Sequence, residues 1–196
     1  LFVRRWDSWE DGKRTHVLKM ELGDAKAPLV DLTPGDFDSP AFSVGGGADF
    51  DVSPDGRELA FTSQREAFPA SSTNVDLYVV PVDGTPEQLK APKNLTAKNP
   101  AFDGSPRYSP DGKWLAFRMQ RTPGYESDRF LLALYDRAAG TSRVLTEPFD
   151  SWIGEYRFSN DSKRVYFLAD VRSEVKVFSA TQLDVYFIVD EHAKVE

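Results

Sequence analysis

The chain has 196 residues, 40% of them hydrophobic and 13% aromatic, which suits a folded core and not a disordered polymer. A formal net charge of −7 opposes binding to nucleic-acid phosphates and to anionic membrane surfaces, and no apolar run is long enough to span a bilayer. Cysteine is absent, which excludes disulfides, thiol catalysis and cysteine-ligated metal.

In chain order, Leu1-Phe2-Val3-Arg4-Arg5-Trp6 is strand-like with no turn before it. His16 to Met20 and Pro28 to Leu32 read as two further strands, so residues 1–47 form a partial unit. Arg5, Trp6, Asp7 and Trp9 make a cluster that either packs between units or lines a channel. Gly45-Gly46-Gly47 lacks the Lys-Ser/Thr and the following helix of a phosphate cradle, and reads as a linker.

Residues 48–97 and 98–150 are built alike. Ser53-Pro54-Asp55-Gly56 recurs 56 residues later as Ser109-Pro110-Asp111-Gly112, each between two short apolar strands. Proline presets φ for the turn, aspartate bonds nearby backbone, and glycine supplies the positive φ that lets the second strand leave. A third copy, Ser159-Asn160-Asp161-Ser162, opens residues 151–196; without proline and glycine its hairpin should be less tightly specified. Leu59, Leu115 and Val165 align after the turns, followed by Phe61, Phe117 and Phe167, with the alternation of a strand that has one face in a core.

Each unit continues in the same way. After the polar stretch Gln64 to Asn74, Asp76 to Val80 is a third strand, Val82-Asp83-Gly84 a turn, and Glu87-Gln88-Leu89 a short outer strand. In the next unit Phe130 to Tyr135 is the third strand, Asp136 to Gly140 the turn and Ser142 to Leu145 the fourth strand. Four antiparallel strands per ~50 residues predict an all-β fold: a partial β-propeller of four-stranded blades of the TolB/WD40-like kind. Propellers close with about 4–8 blades. The chain therefore reads as part of a larger ring, and its bare edge and blade face favour a homodimer.

Tyr125, Glu126, Asp128 and Arg129 lie in the long connection between the second and third strands of residues 98–150. Glu126 can pair with a substrate ammonium, and Arg129 can hold Glu126 or a substrate carbonyl. The same groups can equally tie the loop to a neighbouring blade. Gln64, Arg65 and Glu66 occupy the equivalent connection one unit earlier; their position allows them to face the same propeller cavity, but they read first as a solvated loop. Asp55 and Asp111 lack the run of oxygen ligands that calcium needs and read as turn residues, so no metal and no cofactor is expected. The sequons at Asn94-Leu95-Thr96 and Asn160-Asp161-Ser162 read as chance matches.

These motifs together carry a likeness. The two Ser-Pro-Asp-Gly turns, Ser72-Thr73-Asn74-Val75-Asp76-Leu77-Tyr78 and Pro123-Gly124-Tyr125-Glu126-Ser127-Asp128-Arg129 resemble the propeller of prolyl oligopeptidase-family serine peptidases. Within that family they are similar to the bacterial dipeptidyl peptidase 5 and acylaminoacyl-peptidase branch. The resemblance covers residues 1 to 178 and implies a serine exopeptidase in which a propeller covers an α/β-hydrolase domain. It implies peptide substrates, a gating and substrate-positioning role for the propeller, and a periplasmic or secreted location, with the cytoplasm as the alternative. The chain has no Gly-x-Ser-x-Gly elbow, and its histidines, His16 and His192, lack a serine partner, so no catalytic residue is expected within it. A non-enzymatic TolB-like propeller that binds a protein or peptide accounts for the turns equally well.

Overall fold

The computed structural model describes residues 12–23, 26–41, 49–181 and 185–187, the last three by backbone only. The strand expected at Leu1 to Trp6, the Arg5/Trp6/Asp7/Trp9 cluster, the glycine triplet and His192 lie outside these residues. The chain divides into two compact units, Leu1–Pro106 with Gln120–Asp128, and Arg107–Met119 with Arg129–Glu196.

The Ser-x-Asp turns organise the hairpins. Ser53 Oγ donates to Asp55 Oδ1 at 2.6 Å, and Ser109 Oγ to Asp111 Oδ1 at 2.7 Å. Each carboxylate also accepts a backbone amide two residues on, from Arg57 at 3.2 Å and Lys113 at 3.1 Å. Gly56 and Gly112 take φ of 72° and 69°, a region that disfavours a side chain. The third hairpin, expected to be less tightly specified, has the same bonds. Ser159 Oγ donates to Asp161 Oδ1 at 2.6 Å, Lys163 N donates to the same oxygen at 3.1 Å, and Ser162 stands in for glycine at φ 61°. The Ser159 hydroxyl and the Lys163 amide hold the Asp161 carboxyl below the usual carboxylate range.

Three four-stranded antiparallel sheets and one two-stranded sheet follow from these turns. The two-stranded sheet pairs β1 (Leu18–Lys19) with β2 (Val30–Asp31). The first full sheet runs β3 (Phe50–Val52), β4 (Glu58–Ser63), β5 (Asp76–Pro81), β6 (Lys93–Asn94). The second runs β7 (Asp103–Tyr108), β8 (Trp114–Met119), β9 (Leu131–Asp136), β10 (Thr141–Val144). The third runs β11 (Ile153–Phe158), β12 (Val165–Val171), β13 (Glu174–Ala180), β14 (Val185–Phe187). In every full sheet the strand order equals the chain order, the meander of a propeller blade.

Two expectations are corrected. Glu87-Gln88-Leu89 is not a strand: Pro86–Lys90 is a short helix, α1, and the outer strand is β6. Pro86 presets the first helical φ, Gln88 N donates to Thr85 Oγ1 at 3.4 Å, and Thr85 N donates back to Gln88 Oε1 at 2.9 Å. That reciprocal cap outweighs three residues of weak strand pattern. Strand alternation also fails in β4, where Leu59 through Ser63 are all buried, because both faces are covered; β12 alternates cleanly.

The first unit packs Leu32, Leu59, Phe61, Tyr78, Val80 and the helical Leu89 into one core. In the second unit Ala116, Leu132 and Leu134 pack with Tyr156, Val165, Phe167 and Phe178. The Phe167 and Phe178 rings stack at 5.5 Å between centroids. Each fully buried aromatic or aliphatic side chain contributes about 1.5–3 kcal/mol.

A second repeat emerges at the ends of the outer strands. Leu32-Thr33, Leu95-Thr96 and Leu145-Thr146 hold one geometry. The threonine hydroxyl accepts from Val17 N at 3.0 Å, Leu77 N at 3.0 Å and Leu132 N at 2.9 Å. The preceding leucine amide donates back to the same residue's carbonyl, at 2.9, 2.8 and 2.8 Å. All three threonines are buried, so each hydroxyl satisfies an amide that has left the ladder.

Candidate functional site

The long connections after β4 and β8 are shaped by one repeated device. Gln64-Arg65 recurs as Gln120-Arg121, 56 residues on, the interval that also separates the two Ser-Pro-Asp-Gly turns. The Gln64 amide donates to Pro69 O at 3.2 Å and Ser72 O at 2.9 Å. The Gln120 amide donates to Glu126 O at 3.2 Å and Asp128 O at 2.7 Å. Each glutamine closes its own loop over the strand end, and Gln120 is itself buried.

The first loop adds a 3-10 turn at Pro69–Ser71 and a bond from Asn74 Nδ2 to Glu66 Oε1 at 2.8 Å. In the second loop the Asp128 carboxylate accepts Arg121 N at 2.8 Å and Thr122 N at 2.7 Å. Gly124 turns the chain at φ 74°, and its amide donates to Thr73 Oγ1 at 2.9 Å. The two loops therefore meet within the first unit. Their tips expose Phe68 and Tyr125, 78% and 53% accessible.

The four expected substrate-binding residues divide between the units. Tyr125, Glu126 and Asp128 share the second loop, with Tyr125 exposed and Glu126 and Asp128 half-buried. The Asp128 carboxylate serves its own loop. Arg129 belongs to the second unit, where it donates to Phe149 O at 2.5 Å and Glu147 O at 3.3 Å and stands 3.7 Å from Asp150. It braces the connection from β10 to β11. His16 is likewise engaged, with Nδ1 2.7 Å from Asp31 Oδ2 and Nε2 3.1 Å from the Gly35 carbonyl.

Arg65 is not the solvated residue its loop position suggests. Its guanidinium carbon lies 4.5 Å from the Tyr78 ring centre and 4.9 Å from that of Phe37, and Nε donates to Ser63 Oγ at 3.4 Å. Burial lowers its pKa. The Gln-Arg recurrence was the signal available in the sequence. It falls inside polar stretches, where side-chain periodicity gives no warning of an aromatic stack supplied by Tyr78 of β5 and by Phe37 of the segment after β2.

A buried acid was also missed. Asp103, at the start of β7, is fully buried and accepts Asn99 Nδ2 at 3.0 Å on Oδ1, while Oδ2 has no partner. Burial pushes its carboxyl up to about 8; hydrogen bonds from Asn99 and Thr96 pull the other way, and the Asp76 charge adds to the rise. The corresponding start of β11 is the apolar Ile153. Among the described residues no group of three or more His, Cys, Asp or Glu side chains is placed to hold a metal, and no helix is long and apolar enough to cross a membrane.

No family profile matches the chain. In sequence it is 28% identical to dipeptidyl-peptidase 5 of Porphyromonas gingivalis, across 92% of the chain and 26% of that protein. It is 30% identical to dipeptidyl-peptidase 5 of Trichophyton equinum, across 91% of the chain and 27% of that protein. The chain thus spans about a quarter of the length of these curated relatives. In fold it is similar to a TolB protein of Agrobacterium tumefaciens, with a TM-score of 0.60 at 21% identity over 86% of the chain and 52% of that structure. The sheets, the turn repeat and the fold likeness agree on part of a β-propeller, and along more than nine-tenths of its length the chain is similar in sequence to proteins named dipeptidyl-peptidase 5, as the resemblance to prolyl oligopeptidase-family propellers implied.

Proposed function

We propose that the segment is the gating and substrate-positioning part of a serine exopeptidase that releases dipeptides or acylated residues from peptide N-termini in the periplasm or outside the cell. The observation that carries this reading is the dipeptidyl-peptidase 5 likeness running along 92% of the chain. Hydrolysis belongs to an α/β-hydrolase partner domain, since the chain has no Gly-x-Ser-x-Gly elbow. The blades form a rigid support, and the stapled loops present Tyr125 and Glu126 from it. Glu126 meets the free ammonium of a peptide; Asp128 and Arg129 hold the loop and the neighbouring connection in place.

The test is steady-state kinetics of the full-length protein that carries this segment. Glu126→Gln is expected to raise KM about tenfold for dipeptide substrates with an unblocked amine, as loss of one charge-assisted bond does. Substrates with a blocked amine should be unaffected. Unchanged kinetics with both would remove Glu126 from recognition. Absence of peptidase activity from the wild-type full-length protein would favour the second reading, a TolB-like propeller that binds a protein or peptide.

A further inference from the structure

Arg65 combines features that a merely structural arginine does not. It is half-buried, two residues past the end of β4, and three contacts fix its plane: the Tyr78 ring, the Phe37 ring and the Ser63 hydroxyl. The Tyr78 ring is in turn stacked on Phe61 at 5.9 Å, and its hydroxyl accepts Asn94 Nδ2 at 3.3 Å, so the platform under the guanidinium is rigid. Only Nε is used. Neither Nη nitrogen has a protein acceptor among the described residues, and both keep access to solvent.

A guanidinium stays protonated in proteins, and desolvating it without an anionic partner is unfavourable. The next repeat shows that the loop does not demand this arrangement. Arg121 occupies the equivalent place after Gln120, and its side chain is exposed. The Gln staple is common to both loops; the half-buried arginine belongs to one.

We propose that Arg65 anchors a carboxylate-binding site, the two Nη groups forming a fork for the carboxylate of a peptide, either its C-terminus or an Asp or Glu side chain. The aromatic stack presents the edge of the guanidinium, which is the geometry of bidentate carboxylate recognition. A monoanion suits the surroundings better than a phosphate. Asp76 and Glu66 act on Tyr78 from nearby, and a second negative charge on the ligand would meet them. The exposed Phe68, three residues on in the same loop, offers apolar contact to the rest of a peptide. The inference goes beyond the peptidase reading, because it concerns binding and needs no hydrolysis.

The experiment is an NMR titration of the 15N-labelled 196-residue chain, following the assigned Nε–Hε resonance of Arg65. Four probes are used: N-acetyl-diglycine with a free carboxylate, its C-terminal amide, a blocked tripeptide with a central aspartate, and inorganic phosphate. Saturable movement with at least one carboxylate probe, about tenfold weaker for the amide, is expected for a charge-assisted fork. The diglycine and aspartate arms separate a main-chain from a side-chain carboxylate. Arg65→Lys should weaken the favoured probe about tenfold while unfolding at a similar temperature, because lysine keeps the charge and loses the fork. A resonance unmoved by either carboxylate, an amide that binds equally, or phosphate that binds more tightly would overturn the site.

Discussion

At the scale of single residues, Asp103 and Arg65 pose opposite problems. Each is an ionisable group drawn into the protein, but Arg65 keeps an open side toward solvent and Asp103 does not. The Asp103 carboxyl is raised to about 8 by burial, against an ordinary aspartate value of 3.8. The unfolded chain therefore releases this proton first. The stability that the neutral acid contributes is fully present below about pH 4 and is lost as pH rises toward 8. Asp103→Asn keeps the size and removes the titration. It is expected to stabilise the protein at pH 8 by about 1–3 kcal/mol, the cost of an unsatisfied buried polar group, and to be close to neutral at pH 4. Denaturant melts at the two pH values decide this; equal shifts at both would show that the Asp103 charge is not the cause. Neither environment could be read from local sequence, because Asn99 and Thr96 precede Asp103 across a turn, and Tyr78 reaches Arg65 from a neighbouring strand.

At the scale of elements, turn chemistry did most of the organising. The Ser-x-Asp bond forms in all three hairpins, including the one without proline or glycine, because the serine and aspartate carry the bonds and glycine only eases the φ. The turn between β12 and β13 is the reverse case. Val171 pairs with Glu174, leaving Arg172 and Ser173 as a two-residue connection at φ 55° and 63°. Positive φ at both positions suits Asn-Gly and costs other residues about 1–2 kcal/mol each. Arg172→Asn with Ser173→Gly is expected to raise stability by about 1–2 kcal/mol, read as a shift in the denaturation midpoint. No shift would mean that the turn is relaxed in both forms. The helix α1 teaches the same lesson about local chemistry: Thr85, Pro86 and Gln88 were a legible capping box, and it outranked a short apolar pattern.

At the scale of the molecule, the third sheet differs from the second. In the second unit Ala116 and Leu132 are buried against residues of the third sheet, whereas the equivalent face of β12 and β13 exposes Tyr166, Leu168, Val175 and Val177. Leu168 and Val177 are cross-strand partners at its centre. A contiguous apolar face of this kind drives association. The 196-residue chain is expected to sediment with concentration-dependent mass, and Leu168→Glu with Val177→Lys to abolish that dependence. Association that persists in the double variant would place the contact elsewhere. What the sequence determined by itself was the repeat: hairpin turns at intervals of 56 and 50 residues, four strands between them, and loops whose position followed from that register. Those features are local, set by turn residues and strand pattern within a few positions of one another. Tertiary structure alone decided what the loop residues do. It committed Asp128 and Arg129 to backbone partners, stacked Arg65 on Tyr78 of β5 and on Phe37 of the segment after β2, and left an acid buried where the next repeat has isoleucine. The roles of Arg65 and Arg129 depend on partners 13 to 28 residues away, and no periodicity within a strand encodes any of them.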